Sequence, residues 1–188
     1  MNIDCGVNGF GRFGIHLLRF YLENYSNKKF SIKYINDKNL SFDEIRKIIK
    51  NDNYVNLSKY DIRFKKNKIL FFSSTKQKFE ILFTNNAIKE IKWLPSVDYF
   101  LECSGEKIEN INFLTKKYKN IKHLILSATS HKTNKTLIYG FNHNKYLSRY
   151  KSISYGSCTV NAFVPLANLI NKIYKIIDCD LNIIHNLP

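Results

Sequence analysis

Residues 3–14 read IDCGVNGFGRFG, and this stretch decides the fold. Its first part is a short apolar strand candidate, and Gly9, Gly11 and Gly14 then satisfy the G-x-G-x-x-G pattern as a helix opens. The first glycine of such a motif allows a tight turn, and the second lets the backbone approach a pyrophosphate. The third lets the helix pack closely on the strand. Amides and the dipole of the new helix would face the phosphates, so the stretch predicts a dinucleotide-binding turn.

An acidic residue follows the second strand candidate, residues 30–35. Asp37 stands where a carboxylate can accept hydrogen bonds from the adenine-ribose hydroxyls and repel a 2′-phosphate, which favours NAD over NADP. Lys38, the next residue, opposes that preference. The alternative interpretation is a glycine turn without a ligand, with Asp37 as a solvated loop acid.

Strand and helix patterns alternate along the chain, which indicates an α/β fold with a largely parallel sheet. Helical spacing is seen over 12–25, 42–49, 108–118 and about 158–173. Further strands are predicted over 97–103, 123–127, 135–139 and 152–154, with hairpins over 61–83 and a closing strand over 176–185. Together with the glycine turn, this order predicts a Rossmann-type, doubly wound sheet.

Composition narrows the class of protein. The chain has 188 residues, is 44% hydrophobic and lacks an apolar run near the roughly 20 residues of a membrane span. Its amino terminus lacks a secretory pattern, so we expect a cytoplasmic protein without a membrane partner. The formal charge of +15 comes from lysines spread through the chain, which is typical of a solvated basic surface; nucleic-acid binding is the disfavoured alternative.

Four scattered cysteines without a C-x-x-C pair predict reduced thiols, with neither a metal site nor a disulfide framework. Cys5, Cys103 and Cys179 lie in apolar strand contexts and are expected to be inert core thiols. His16, His123, His131 and His143 are expected to be ordinary surface or packing residues.

Cys158 differs from the other cysteines because small polar residues precede it and an apolar-periodic helix follows. A thiol at a helix amino terminus is favoured as thiolate by the helix dipole. Pro165 predicts a kink or a local helix start. His185 follows 27 positions later in the predicted closing strand, and a Cys–His pair is one way to activate a nucleophile. From their spacing alone, a cysteine and a histidine on such elements are more often structural.

Several separated motifs resemble the glyceraldehyde-3-phosphate dehydrogenase family in order. They are residues 6–12 (GVNGFGR), 35–37 (IND), 102–105 (ECSG), 126–128 (LSA), 139–143 (YGFNH) and 157–159 (SCT) with Asn161 and residues 165–167 (PLA). The resemblance spans essentially the whole chain. It implies a Rossmann-like NAD-binding domain over 1–156 and the start of a second, α+β catalytic domain over 157–188.

The resemblance also implies a mechanism. Cys158 would attack an aldehyde, hydride would pass to NAD, and inorganic phosphate would cleave the resulting thioester, with His185 exchanging protons. Ser157 and Thr159 would bind phosphate or substrate. Residues implied at the cofactor are Asn8, Gly9, Phe10, Gly11, Arg12, Phe13, Asp37, Ser104, Gly105 and Ser127. The substrate would be a phosphorylated aldehyde, and the family typically forms homotetramers.

Departures from the family pattern keep alternatives open. Tyr155, Val160 and Ala162 change the surroundings of the cysteine, Asn86 replaces a usual arginine, and residues 52–56 depart from the family's D-S-x-H-G segment. The sequence stops soon after His185, so we expect a fragment; the alternative is a reduced homologue. Erythrose-4-phosphate dehydrogenase and a non-catalytic NAD- or polyanion-binding homologue remain the competing functions.

Overall fold

A computed structural model describes residues 3–25, 29–106 and 112–184. The strands are β1 (Ile3–Asn8), β2 (Phe30–Asn36), β3 (Asp61–Lys65), β4 (Lys68–Phe72), β5 (Lys78–Thr84), β6 (Tyr99–Glu102), β7 (His123–Leu126), β8 (Lys135–Thr136) and β9 (Ser152–Ser154). The helices are α1 (Arg12–Glu23), α2 (Phe42–Asn51), α3 (Phe113–Lys117) and α4 (Cys158–Tyr174).

The strands form one nine-stranded sheet in the order β3-β4-β5-β2-β1-β6-β7-β9-β8. In this spatial order, each neighbouring pair from β5 to β8 is parallel, and the β3-β4-β5 meander is antiparallel. The chain crosses from β1 to β2 on one side and later places β6 on the other side of β1. This reversal creates a crevice at the carboxyl end of β1, where α/β folds bind ligands. The predicted Rossmann-type sheet and its hairpins are confirmed.

Alternating side chains divide the core between the two faces of the sheet. Cys5 and Val7 of β1 pack in a cluster with α1 and α2. Phe100 packs in a second cluster with Trp93 and with Leu114 of α3. A Cβ on Gly6 would lie 2.1 Å from the Trp93 ring, so only glycine lets the indole lie against β1.

The two helices α1 and α2 form because of local sequence features: apolar spacing in α1 and a capping box in α2. α1 buries Ile15, Leu18 and Leu22 at helical spacing against the sheet. α2 begins with a capping box in which the Ser41 side chain accepts from the Glu44 amide and the Glu44 carboxylate accepts from the Ser41 amide. These helices flank the crevice on the glycine-turn side of the sheet.

The predicted closing strand is wrong over the residues that the structure describes. Residues 175–184 have no regular secondary structure, and Ile177 and Ile184 are each 96% exposed. A strand needs a neighbouring ladder, and no described strand lies beside this segment. Cys179 is therefore exposed and is not a core thiol. Helix α4 continues through Pro165 instead of starting there.

Other boundaries are narrower than predicted. The helix expected over 108–118 is seen as Phe113–Lys117, while residues 107–111 lie outside the described part. The strand expected over 135–139 is limited to Lys135–Thr136. Among residues 3–25, 29–106 and 112–184, none of the helices has both the length and the apolar character of a membrane span.

Apolar surface is left open on the α1 face of the sheet. A groove of about 330 Å³, called here the apolar groove, lies beside α1. Its lining includes Phe13, Leu17, Tyr99, Leu101 and Ile125. Helix α4 has no buried residue in the described chain and carries exposed Leu166, Leu169 and Ile173.

Candidate cofactor cleft and cysteine site

The glycine turn joins β1 to α1 at the crevice. Gly9 has φ +93°, in the left-handed region, and a Cβ there would lie 2.3 Å from the Ser104 amide nitrogen. A Cβ on Gly14 would lie 2.5 Å from the Gly9 carbonyl oxygen. Both positions therefore require glycine for packing within the protein itself.

Gly11 has a different environment. An added Cβ would meet nothing within 4 Å, so the space in front of this residue is open. Gly11 is also the N-cap of α1, where no side chain caps the helix and no acidic residue occupies the first turn. An open, uncapped helix start is suited to an anion such as a pyrophosphate, and the residues present fit the predicted dinucleotide.

Asp37 lies directly across from this turn. Its Oδ2 accepts a 2.8 Å hydrogen bond from the Phe10 amide, and its Oδ1 accepts one of 2.9 Å from the Asn39 amide. Each carboxylate oxygen keeps further acceptor capacity, so Asp37 can still accept hydrogen bonds from ribose hydroxyls. The structure thus brings Asp37 to the glycine turn, with a second role of tying the turn to the end of β2.

Three neighbouring side chains that the resemblance places near the cofactor have other contacts. Phe10 is buried in the core. The Arg12 guanidinium forms a two-pronged pair with Asp52, whose side chain is only 4% exposed, and this hydrogen bond lowers the pKa of the Asp52 carboxyl. Phe13 lines the apolar groove. If these three residues bind the cofactor, we therefore expect them to do so through their backbone groups.

A buried row of polar groups, called here the polar row, runs beneath the cleft across the carboxyl ends of four strands. The Thr84 hydroxyl donates to Asn36 Oδ1 at 2.8 Å, and Asn36 Nδ2 donates to Asn8 Oδ1 at 2.7 Å. Asn8 Nδ2 in turn donates to Glu102 Oε2 at 2.7 Å. Burial raises the pKa of Glu102. Asn8 therefore links the strands and also lines the cleft.

The polar row continues to Ser104. Its amide and hydroxyl both donate to Glu102 Oε1, the amide at 2.8 Å. Gly105 has φ +74°, which glycine adopts without strain. The Ser127 amide donates to the Glu102 carbonyl at 2.9 Å, and Ser127 lines the apolar groove. Ser104 borders the cleft, whereas Ser127 faces the α1 side.

Cys158 is the first residue of α4, as its sequence context predicted. Ser157 is the N-cap, and its Oγ accepts a 3.2 Å hydrogen bond from the Val160 amide. The Asn161 side-chain amide donates to the carbonyls of Tyr155 and Ser157 at 2.6 and 2.8 Å. These contacts hold the backbone on both sides of the exposed thiol.

The segment before Cys158 is fixed to the sheet. The Ser154 hydroxyl, at the end of β9, donates to the Ala128 carbonyl at 2.7 Å and accepts from the Gly156 amide at 3.0 Å. Gly156 has φ +73°, and its Cβ would lie 2.9 Å from Ile138. Because β9 is parallel to β1 in the same sheet, Cys158 follows the same carboxyl edge as the glycine turn.

The other cysteines have different surroundings. Burial raises the pKa of Cys5 and of Cys103 to about 12, so these thiols stay protonated near neutral pH. Within the described residues, no group of three His, Cys, Asp or Glu side chains is placed to hold a metal ion. His185 lies outside the described residues, and the structure leaves its pairing with Cys158 as a prediction.

Two features were missed at the level of sequence. The polar row was not predicted, although Asn36 and Glu102 both fall at strand ends, where polar residues in buried strands are a usable signal. His123, expected to be a surface or packing residue, is a buried packing residue whose partners were not predicted: its ring contacts the Tyr150 carbonyl at 2.7 Å and the Tyr146 hydroxyl at 2.9 Å. This contact joins β7 to the loop before β9.

Comparisons with known proteins agree with this geometry. The family model described as "Glyceraldehyde 3-phosphate dehydrogenase, NAD binding domain" matches residues 3–110. Glyceraldehyde-3-phosphate dehydrogenase of Helicobacter pylori (strain J99 / ATCC 700824) is 30% identical over 186 residues, covering 96% of this chain and 53% of the relative. The cytosolic enzyme of Dianthus caryophyllus is 28% identical over 187 residues, covering 98% and 53%.

The chain thus spans about half the length of the curated relatives it matches. The matched region contains the glycine turn, Asp37 and Ser104, and its description confirms NAD as the predicted cofactor. With a family model that matches more than half of the residues, the chain belongs to the glyceraldehyde-3-phosphate dehydrogenase family and carries its NAD-binding domain.

Proposed function

We propose that this chain carries the cofactor cleft and the nucleophile of an NAD-dependent, phosphorylating aldehyde dehydrogenase. One observation carries the proposal: Cys158 begins α4 at the carboxyl edge of the sheet that also holds the glycine turn. A nucleophile and a cofactor cleft on one edge are the arrangement that thiol-dependent aldehyde oxidation requires.

The cofactor is proposed to be held by the backbone around Gly11 at its pyrophosphate and by Asp37 at its adenine ribose. Ser104 lines the same cleft, and Gly105, the next residue, is proposed to contact the cofactor by family resemblance. The chemistry that bound NAD supplies is the acceptance of a hydride from the substrate carbon. The polar row holds the strand ends that form the floor of this site.

The Cys158 thiolate is proposed to add to the aldehyde carbon, forming a carbon–sulfur bond while the carbonyl oxygen takes up a proton from the protonated general base, which gives a thiohemiacetal. Loss of the carbon's hydrogen as hydride leaves an acyl thioester on Cys158, and a general base takes the hydroxyl proton. Attack by inorganic phosphate then breaks the carbon–sulfur bond, releasing an acyl phosphate and the thiolate. His185 is proposed as the base by family resemblance.

Two hydroxyls adjoin the nucleophile. Ser157 accepts from the Val160 amide and still has its own proton to donate. Thr159 Oγ1 lies 4.0 Å from Cys158 Sγ. We propose that Ser157 and Thr159 donate to the substrate or to inorganic phosphate during thioester cleavage.

For the protein to which this domain belongs, we propose a phosphorylated aldehyde as substrate, a homotetrameric assembly and a cytoplasmic location. The Dianthus caryophyllus relative is named as cytosolic. A triose phosphate is the first choice, and a tetrose phosphate, as used by erythrose-4-phosphate dehydrogenase, is the alternative. Side-by-side turnover with the two sugars separates them, and preference for the tetrose contradicts the first choice.

The test is acylation of the purified chain. The purified chain is incubated with glyceraldehyde 3-phosphate and NAD in the absence of inorganic phosphate, so that the thioester is not cleaved. We expect NADH and an acyl adduct on the peptide that contains Cys158. Cys158→Ser abolishes both signals, and Cys179→Ser, the matched exposed thiol, keeps them. NADH formation that survives Cys158→Ser would contradict the proposal.

A second candidate is an NAD-binding homologue that does not turn over substrate. The observation that favours it is that no residue of α4 is fully buried in the described chain, so the helix that carries Cys158 is only partly packed. This candidate would be supported if calorimetry shows that the chain binds NAD while the peptide that contains Cys158 stays unacylated after incubation with the aldehyde. A salt-sensitive complex with RNA would add polyanion binding to it.

A further inference from the structure

An ion pair crosses the cofactor cleft. Lys38 Nζ lies 2.6 Å from Glu106 Oε1. Lys38 is on the loop after β2 and Glu106 on the loop after β6, and β1 lies between these strands in the sheet. The pair therefore bridges the crevice above the end of β1, where Asn8 leads into the glycine turn.

Hydrogen bonds shape the backbone of both loops. The Asn85 side-chain amide donates to the carbonyls of Asp37, Lys38 and Leu40 at 3.1, 3.2 and 2.7 Å. On the other side, the Glu106 amide donates to the Ser104 hydroxyl at 3.2 Å.

The pair narrows the ribose end of the cleft. The space between the two loops measures about 50 Å³ and is lined by Asp37, Lys38, Ser104 and Glu106 among others. Small-molecule sites usually measure at least about 300 Å³. A nucleoside at Asp37 thus requires these side chains to shift. Their exposed fractions of 47% and 43% place both side chains at the solvent border, where the two can move outward as a pair.

We propose that Glu106 determines cofactor specificity by holding the Lys38 ammonium away from the ribose 2′ position. Lys38 adjoins Asp37, the carboxylate that disfavours a 2′-phosphate. An unpaired ammonium there would offset this repulsion and admit NADP. Pairing with Glu106 neutralises that cation, so the net negative charge of Asp37 is kept at this end of the cleft. The proposal rests on cofactor binding in this cleft and does not depend on turnover.

The test compares binding of NAD and NADP by titration calorimetry at low ionic strength. Glu106→Gln is expected to raise NADP affinity about five- to tenfold while changing NAD affinity less than about threefold. In Glu106→Gln combined with Lys38→Met, the gain for NADP disappears. Asp61→Asn, which removes an equal charge from an exposed pair with Arg63, leaves the NADP-to-NAD ratio unchanged.

Salt provides a second readout. The gain for NADP in Glu106→Gln shrinks as salt screens the interaction between Lys38 and the 2′-phosphate. An unchanged NADP-to-NAD ratio in Glu106→Gln, with normal NAD binding by the unsubstituted chain, overturns the specificity role alone. A gain that persists in the double variant overturns the part assigned to Lys38. Failure of the unsubstituted chain to bind NAD overturns the cleft assignment as well.

Discussion

The side-chain amide of Asn8 donates a 2.7 Å hydrogen bond to the carboxylate of Glu102, joining the end of β1 to the end of β6. The partners are 94 residues apart, and both are buried. Through Asn36 and Thr84 the same chain of hydrogen bonds reaches β5. The edge of the sheet that carries the cleft is therefore held by directional polar contacts in addition to apolar packing.

The first prediction concerns the pH dependence of folding at Glu102. Burial raises its pKa above the ordinary 4.5, so the folded chain binds more protons than the unfolded chain from about pH 4.5 up to the raised pKa. The free energy of unfolding contributed by this group therefore falls as pH rises through that window. Glu102→Gln removes this dependence and, by placing an NH₂ opposite donors, costs about 1–3 kcal/mol.

Urea unfolding between pH 4 and pH 8 measures this effect. The advantage of the unsubstituted chain over Glu102→Gln is expected to be largest at low pH and to shrink as pH rises. Glu80→Gln is the control, because Lys68 lowers the pKa of Glu80 and the slope then has the opposite sign. Parallel pH profiles for the unsubstituted chain and Glu102→Gln would show that Glu102 does not titrate in this way.

Alanine substitutions at two glycines of the same turn are expected to affect different properties, stability at Gly9 and NAD binding at Gly11. Gly9→Ala places a Cβ in the left-handed region and 2.3 Å from the Ser104 nitrogen, so it is expected to destabilise the fold by more than about 1 kcal/mol. Gly11→Ala meets no atom within 4 Å, and the fold is expected to change by less than about 1 kcal/mol.

Gly11→Ala is expected to change NAD affinity more than it changes stability. Gly11→Ala fills the space in front of the helix start and should weaken NAD binding at least about tenfold while thermal unfolding stays near that of the parent. Calorimetry and thermal melts on the same samples measure both quantities. Unaltered NAD affinity in a folded Gly11→Ala chain would place the pyrophosphate elsewhere.

Asp37 is predicted to select between the two dinucleotides. Asp37→Ala removes the ribose acceptor and the hydrogen-bond acceptor of the Phe10 amide. NAD affinity should therefore fall about 10- to 100-fold, and the difference between the affinities for NAD and NADP should become smaller. Asp37→Asn keeps an acceptor for the Phe10 amide but loses the charge. It should retain the turn while still narrowing that difference, and equal NAD affinities in all three chains would remove Asp37 from the site.

The four thiols are predicted to react with iodoacetamide at different rates. Cys158, exposed at a helix start, should be alkylated first, and Cys5 and Cys103, whose pKa values are raised to about 12 by burial, should be alkylated last. Exposed Cys179 is the informative comparison, because it lies outside any helix. Peptide mass spectrometry over time gives the rates, and labelling of Cys179 as fast as Cys158 would contradict activation by the helix.

Local signals explain what the sequence could predict. The turn at Gly9 and Gly11, the acid at Asp37 and the helix start at Cys158 each depend on neighbouring residues and strand–helix order. They occupy the positions that the motif predicts. The nine strands also follow from alternation and turn residues, apart from their exact ends.

Long-range pairing explains what could not be predicted. The partners Asn8 and Glu102, and likewise Lys38 and Glu106, meet only because β2 and β6 flank β1, and sequence spacing does not give that register. The strand predicted over 176–185 had the apolar pattern but has no ladder among the described strands. An apolar run specifies burial and does not specify a partner.

The apolar groove beside α1 and the exposed face of α4 determine how copies of this chain behave in solution. The charge of +15 keeps copies apart over long distances, whereas the attraction between apolar surfaces acts only at contact. Raising the salt concentration from 0.1 M to 1 M shortens the screening distance from about 10 Å to about 3 Å. Light scattering should therefore show self-association that increases with ionic strength.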